Sequence, residues 1–384
     1  MTPTIPPVAP EPAFTMTPVV FGDLPGWYDA DLVPAITAFR RHCTALTQRA
    51  PDTNMPGAYG GKVRDWLPAC YAAANAPAGG ERAFFESYFQ PARIEGPGEA
   101  RLTAYFEPVI DARRLPDGAF SEPILRRPAD LVTIDLGAFA DAREDDALRG
   151  APRSLTGKVE NGRVEPYPKR EAIAPTPGQV IGWAHPADVY NLQVQGSGRL
   201  RFEDGTEVRA AFSAQNGYKW RSALGALKAT GALASVTWPS FRMWIDNNPG
   251  DTRSALNADP SYVFFSEEAV TDYAAGPRGA AGIPLTPMGS IAVDPAFHPY
   301  GAIVFVDGEY NGAPFQRLLV AQDTGGAIRR GPQRGDVFFG TGADAGAAAE
   351  RMNAPARWWT LLPRPVVDPP FAALPSVDDT HRKG

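Results

Sequence analysis

The stretch from Pro287 to Leu362 limits most sharply what this chain can fold into. It reads PMGSIAVDPAFHPYGAIVFVD, then RLLVAQDTGGAIRRGPQRGDVFFGTG, then RWWTLLP. Three short apolar runs, Ser290 to Val293, Ala302 to Val306 and Leu318 to Ala321, each stop at or near an acidic residue or a turn. Runs this short, bounded by Gly, Pro and Asp, suit buried strands better than helices. Asp294 and Asp323 sit where an apolar run stops, and Asp336 opens the next, Val337 to Phe339. Carboxylates at strand ends can converge on one rim of a small barrel although they are distant in sequence.

A chain of 384 residues exceeds the usual size of one core, so two domains are expected. Its 40 prolines and 38 glycines imply many turns and favour short strands over long helices. A formal net charge of −6 argues against nucleic acid as a partner. No stretch approaches the roughly 18–20 apolar residues of a membrane-spanning helix. The two cysteines, Cys43 and Cys70, form no C-x-x-C and join no Cys/His cluster, so zinc is not expected. In an oxidising compartment they could form one disulfide; the alternative is two buried thiols acting as small apolar residues.

Residues 1–20 are Pro-rich and are expected to be a flexible leader. They contain no basic n-region, no apolar h-region and no lipid-accepting cysteine, so the reading is a mature form with a start Met added, or an anchorless protein. Leu32, Ile36, Phe39, Cys43 and Leu46 repeat at helical spacing, with Asp31 as N-cap and Pro34 tolerated in the first turn. Trp66, Cys70 and Ala74 mark a second helix and Ala83 to Phe89 a third. From Arg101 the pattern changes to strands. Tyr190, Leu192 and Val194 alternate with Asn191, Gln193 and Gln195, which predicts a half-buried strand with a row of amides on one face. That row is either a solvated outer face or a set of donors and acceptors for sugar hydroxyls and acetamido groups. Asp204-Gly205 predicts a two-residue hairpin, and the turn-rich NNPGDTRSALNADP is a candidate crossing between domains. The tail 366–384 reads as disordered.

AQDTGGAI, a basic Gly-rich turn, and GDVFFG together resemble the C-terminal signature of the MltA family of lytic murein transglycosylases, the 3D domain, whose three aspartates match Asp294, Asp323 and Asp336. LTAYFEP (Leu102 to Pro108), YNLQVQGSGRLRFEDG (Tyr190 to Gly205) and PSYVFF (Pro260 to Phe265) resemble the family's other blocks. The family pattern has Gly where Ala104 stands and Tyr where Phe106 stands. The resemblance spans roughly residues 20 to 363. It implies a mainly β fold: a double-psi β-barrel domain with accessory helices (21–107 and 257–365), an inserted second β domain (108–256), and a glycan groove between them.

The activity implied is cleavage of the β-1,4 bond between N-acetylmuramic acid and N-acetylglucosamine, leaving a 1,6-anhydromuramyl end. One carboxyl can suffice for this, because the attacking C6 hydroxyl belongs to the sugar being cleaved and tethering replaces a positioned water. By the resemblance that carboxyl is Asp323. It must arrive protonated, which burial or a neighbouring carboxylate can arrange. Gly325-Gly326 would let backbone N–H groups approach substrate. Asp294 and Asp336 either line the same rim or cap turns; Asp344 either caps a short Ala-rich helix or reaches the groove. Thr103, Tyr105, Gln193, Gln195, Gly196 and Ser197 are the remaining substrate-binding candidates, although Tyr105 and Phe106 also fit a strand core. No cofactor or metal is expected. The implied partners are peptidoglycan glycan strands and other cell-wall enzymes, the implied state a monomer, and the implied location the periplasm or the periplasmic face of a Gram-negative outer membrane.

Two rival readings stay open at this stage. One is a water-using muramidase with an aspartate pair; the other is a non-catalytic wall-binding module of the expansin-like kind, since fold alone does not exclude it. Gly196-Ser197-Gly198 lacks the leading glycine of a nucleophile elbow, and GTGADAG is off by one from the dinucleotide fingerprint. His42, His185, His298 and His381 show no metal spacing. His298 could lie near the site, but a hydrogen-bonded loop histidine explains it as well.

Overall fold

The computed structural model describes residues 14–144, 154–329 and 331–365; residues 1–13 of the expected leader and all of the expected tail lie outside these. The chain opens with β1 (Thr15–Pro18), α1 (Val33–Leu46), α2 (Val63–Asn75), α3 (Glu81–Tyr88), β2 (Phe89–Glu95) and β3 (Arg101–Glu107). It continues through β4 (Val109–Arg113), β5 (Glu122–Leu125), β6 (Leu131–Asp135), α4 (Leu136–Arg143), β7 (Ser154–Glu160), β8 (Arg163–Pro166) and β9 (Val180–Ala184). Next come α5 (Pro186–Gln195), β10 (Gly198–Phe202), β11 (Glu207–Gln215), α6 (Ala223–Ala229), α7 (Trp238–Asn247), α8 (Thr252–Asn257) and β12 (Val263–Ala269). The last part is β13 (Ser290–Val293), β14 (Ile303–Tyr310), β15 (Ala313–Asp323), β16 (Arg334–Thr341), α9 (Ala343–Ala349), β17 (Asn353–Pro355) and β18 (Arg357–Pro363).

These strands sort into two main sheets. The first has the order β1-β2-β18-β14-β15-β13-β16-β3-β17, with β17 returning against β14, so the sheet curls into a nearly closed barrel. Parallel pairs β13–β15 and β3–β16 alternate with antiparallel ones, the mixed pairing expected of a double-psi barrel. Its interior is filled by Ile291, Val293, Leu319, Ala321, Val337 and Leu102, and the α1–α3 layer adds Ile36, Phe39, Trp66 and Phe85. The apolar stripe of α1 is therefore core, as its spacing predicts. Cys43 on α1 and Cys70 on α2 are joined by a disulfide.

The second sheet has the order β12-β11-β10-β4-β9-β5, and a bridge between Arg126 and Phe265 brings its two edges together. Helices α5–α8 pack on it around Ala187, Tyr190, Phe241 and Ile245, and β6-β7-β8 form a small separate sheet.

Several local expectations need correction. Residues 190–195 are not a strand but the second half of α5, with His185 as N-cap, Pro186 in the first turn and Gly196 at φ +83° as the C-terminal stop. Proline suits the first turn of a helix, and a left-handed residue after the last turn is most readily a glycine. Buried Ala187, Tyr190 and Gln193 recur at helical spacing, a pattern the local alternation concealed. Thr15–Pro18, assigned to a flexible leader, pairs with β2. Leu32, not Asp31, caps α1, while the Asp31 carboxylate accepts the Val33 N–H one residue further on. Phe89 opens β2 and is not part of α3. The Asp204-Gly205 hairpin exists, but its loop has three residues, with the Phe202 N–H donating to the Thr206 carbonyl across it. NNPGDTRSALNADP contains α8 and does not leave the second lobe, and β12, expected in the first domain, pairs with β11. The return crossing lies after residue 269, beyond the boundary at 257.

Candidate active site

Strand register builds the site. Ala292 on β13 is opposite Asp323 on β15 and opposite Asp336 on β16. Asp336 is opposite Thr103 on β3, and Thr103 is opposite Asn353 on β17. One row across five strands therefore reads Asp323, Ala292, Asp336, Thr103, Asn353. At about 4.8 Å per strand the two aspartates stand roughly 10 Å apart along it. A bulge between Ile291 and Ala292 gives β15 an extra residue at this point. Buried Gln322 bonds to Ser290 and to the Ala38 carbonyl of α1, and Asp323 takes the place opposite Ala292. Bulges beside functional sites commonly re-aim one side chain in this way.

The two oxygens of Asp323 differ. Oδ1 accepts the N–H groups of Ala280 and Thr324, both at 2.9 Å. Oδ2 accepts the hydroxyl of Tyr105 at 2.8 Å. Burial raises the Asp323 pKa above the ordinary carboxylate value, while the Ala280 N–H, the Tyr105 hydroxyl and the Thr324 N–H act the other way. Because Oδ1 is filled by two fixed donors, a proton on this acid sits on Oδ2, the side that meets Tyr105. The Tyr105 hydroxyl is itself held well above its ordinary pKa, by burial first and then by the Asp323 charge. It remains a neutral hydrogen-bonding group at any working pH. Tyr300 also feels this acid, its pKa raised by burial and by the Asp323 charge.

Asp336 Oδ1 accepts the Thr103 hydroxyl at 2.6 Å, and Arg334 donates to the same Thr103 oxygen at 2.9 Å. Burial raises the Asp336 pKa, the Thr103 hydroxyl and Arg334 oppose this, and the Asp323 charge adds to it. Asp294 points elsewhere: its oxygens accept the N–H groups of Ala296 at 3.1 Å and Gly331 at 3.2 Å, the turn-capping reading of a strand-end Asp. Asp344 is an exposed first-turn residue of α9.

The amide candidates part company on α5. Gln193 is buried, its Oε1 accepting from Arg170 at 2.6 Å inside the second lobe. Gln195 caps the outer edge of β3, accepting the Phe106 N–H at 3.2 Å. It lines a crevice of about 330 Å³ with Thr103, Phe106, Trp220, Trp238 and Asn353. Gly196 is the helix stop, and the buried Ser197 Oγ accepts the Phe212 N–H at 3.1 Å. Gly325 and Gly326 follow Asp323 in an open turn with room above both. His298 is buried, with Nδ1 at 2.6 Å from the Tyr59 hydroxyl and Nε2 at 2.6 Å from the Pro332 carbonyl; burial lowers its pKa to about 4, so it is a neutral packing group.

Sequence reasoning overlooked the segment that supplies Ala280. Gly279 lies so close to β15 that a Cβ there would be 2.4 Å from the Gln322 carbonyl oxygen. That approach puts the Ala280 N–H on Asp323 and the Ala281 N–H on the Gln322 carbonyl. The GPRGAAGIP run was the available signal, since glycine is the residue that permits such contact.

The MltA specific insert domain model matches residues 101–266, and the 3D domain model matches residues 289–362. A solved membrane-bound lytic murein transglycosylase from Agrobacterium tumefaciens is 32% identical, with a TM-score of 0.77, covering 91% of this chain and 98% of that one. The chain belongs to the MltA family. The structure of MltA from Neisseria gonorrhoeae is 26% identical, with a TM-score of 0.75, covering 93% and 95% of the two chains. Among curated relatives, the membrane-bound lytic murein transglycosylase A of Escherichia coli is 27% identical over 316 residues, which is 79% of this chain and 75% of that protein. The MltA insert match runs into the first half of β12, the strand that pairs with β11 in the second sheet.

Proposed function

We propose that this chain cleaves the β-1,4 bond between N-acetylmuramic acid and N-acetylglucosamine without water, using Asp323 first as acid and then as base. Membership of the MltA family makes it a peptidoglycan-cleaving lyase of the lytic murein transglycosylase class; the residue and the step are the proposal. The observation that carries it is the asymmetric environment of Asp323, with one oxygen held by two backbone N–H groups and the other open to a proton that burial retains.

In this reading Asp323 Oδ2–H protonates the glycosidic oxygen, and the C1–O bond breaks with its electron pair leaving on that oxygen. The carboxylate then takes the proton of the C6 hydroxyl of the same N-acetylmuramic acid, and O6 bonds to C1. The acid is regenerated and no water is consumed. Tyr105 steadies the carboxylate between the two transfers by donating to Oδ2. The glycan is read as lying between the two lobes, in the periplasm, across the Asp323–Asn353 row.

The shared row of Asp323 and Asp336 favours one second reading, in which the two carboxyl groups act as a pair and admit a water, as in an inverting hydrolase. Mass spectrometry of digested sacculi separates the two: anhydro ends are expected, and reducing ends would establish hydrolysis. Asp323→Asn should abolish turnover while glycan binding persists; lytic activity in that variant would remove Asp323 from the chemistry.

A further inference from the structure

The chain passes between the lobes twice, at Glu107–Val109 and again after β12, and both passages meet at one buried cluster. Arg199 on β10 and Arg209 on β11 are direct partners across the hairpin, and like charges so opposed destabilise a sheet. Glu107, fully buried at the end of β3, lies between them. Its Oε2 accepts from Arg199 Nε at 3.0 Å and its Oε1 from Arg209 Nε at 2.6 Å. The Thr341 hydroxyl at the end of β16 adds a bond to Oε2 at 2.7 Å. The same guanidinium groups then reach the returning passage. Arg199 donates to the carbonyls of Tyr273 and Ala275, at 3.1 and 3.3 Å, and Arg209 to that of Ala275 at 3.1 Å.

Ala275 is the foot of a small closed loop. The Gly276 N–H bonds to the Leu285 carbonyl, Leu285 N–H to Pro277, and Gly279 N–H to Ile283. The loop's tip carries Ala280, which donates to Asp323 Oδ1. Two residues before Glu107 on β3 stands Tyr105, which donates to Asp323 Oδ2.

We propose that Glu107, with Arg199 and Arg209, forms a positioning unit that sets both oxygens of Asp323 from one point. It holds the end of the strand bearing Tyr105 and the foot of the loop bearing Ala280. None of the three touches the reacting atoms; their effect passes through Tyr105 and Ala280. The inference rests on the catalytic role proposed for Asp323.

The test is Glu107→Asp in the full chain, assayed on purified sacculi for release of anhydro-ended products. The change keeps the charge and shortens the arm, so it separates reach from electrostatics. Misplacing the loop should lower kcat by about 10- to 100-fold with little change in KM. It should also move the alkaline limb of the pH profile upward, because Asp323 loses the Ala280 N–H that lowers its pKa. The other titratable groups facing Asp323 (Tyr105, Tyr300 and Asp336) and the groups around the cluster (Arg199, Arg209, and Tyr273 with Glu207) are unchanged in the variant. A merely structural role would reduce thermal stability and leave kcat and the limb at their wild-type values, which would overturn the proposal. If Glu107→Asp yields no folded enzyme, Thr341→Val decides on the same two readouts: a lowered kcat with a raised limb supports the unit, and wild-type values refute it. An active Asp323→Asn control would instead sink the catalytic reading itself, whatever the Glu107 variant does.

Discussion

Asp323 is costly to the fold in its ionised form, the one that cannot begin the proposed reaction. Its folded pKa is raised by burial, so the stability it contributes is fully present below the ordinary carboxylate pKa and is lost as pH rises through the folded value. Asp323→Asn should therefore melt higher than wild type at neutral pH, with the difference vanishing in acid below the ordinary carboxylate value; equal melting at all pH values would deny the shift. Turnover follows the same proton: activity should fall on the alkaline side, with its limb above the ordinary carboxylate range. Tyr105→Phe removes the hydroxyl that favours the charged form, so that limb should move to higher pH while kcat drops about tenfold, the loss expected of one charge-assisted hydrogen bond. A pH–rate profile of the two proteins checks both statements.

Individual strands are readable where their ends carry chemistry, and pairings are not. The runs at 290–293, 318–321 and 337–339 were legible because short apolar stretches stopped by Asp or Gly have few other uses. Nothing in the sequence says that β3 joins β16, a register that brings Thr103 to Asp336 across more than two hundred residues. Residues 190–195 misled for the opposite reason. Their local alternation is genuine, but Pro186 and Gly196 set the helix limits and burial on the second lobe chose the period. The loop holding Ala280 showed in the sequence only as a Gly-rich run, because its contribution to the site is a backbone N–H. Gly279→Ala probes it. The added methyl meets the Gln322 backbone oxygen, which has no rotamer to escape through. We expect a loss in kcat of about 10- to 100-fold, with the alkaline limb moving in the same direction as for Tyr105→Phe. Unchanged kinetics would mean that the loop does not set Asp323.

Across the whole molecule, the helical layer and the barrel are held by different means. The Cys43–Cys70 bond ties α1 to α2 across 27 residues of sequence, and closing a loop of that size in the unfolded chain is worth about 3.5 kcal/mol in the chain-entropy view. Reduction, or the double Cys→Ala variant, should lower the unfolding free energy by that order, read from the shift of the denaturant midpoint. Turnover at low temperature should be kept, because neither cysteine is among the groups that bond to Asp323. Loss of activity at a temperature where the reduced protein is fully folded would show that the helices help shape the rim.

The first lobe is assembled from two pieces of chain, β1–β3 and β13–β18, with the whole second lobe spelled out between them. Until the later piece exists, β2 lacks β18 and β3 lacks both β16 and β17, so β2 has one unpaired edge and β3 two at the moment the middle portion is already able to compact. Long-range pairings of this kind are slow to form, and bare edges invite pairing with other chains. The enzyme thus has a vulnerable interval during its own maturation, which ends only when its final strands arrive. Among the last contacts to close in that interval is the row that bears Asp323 and Asp336.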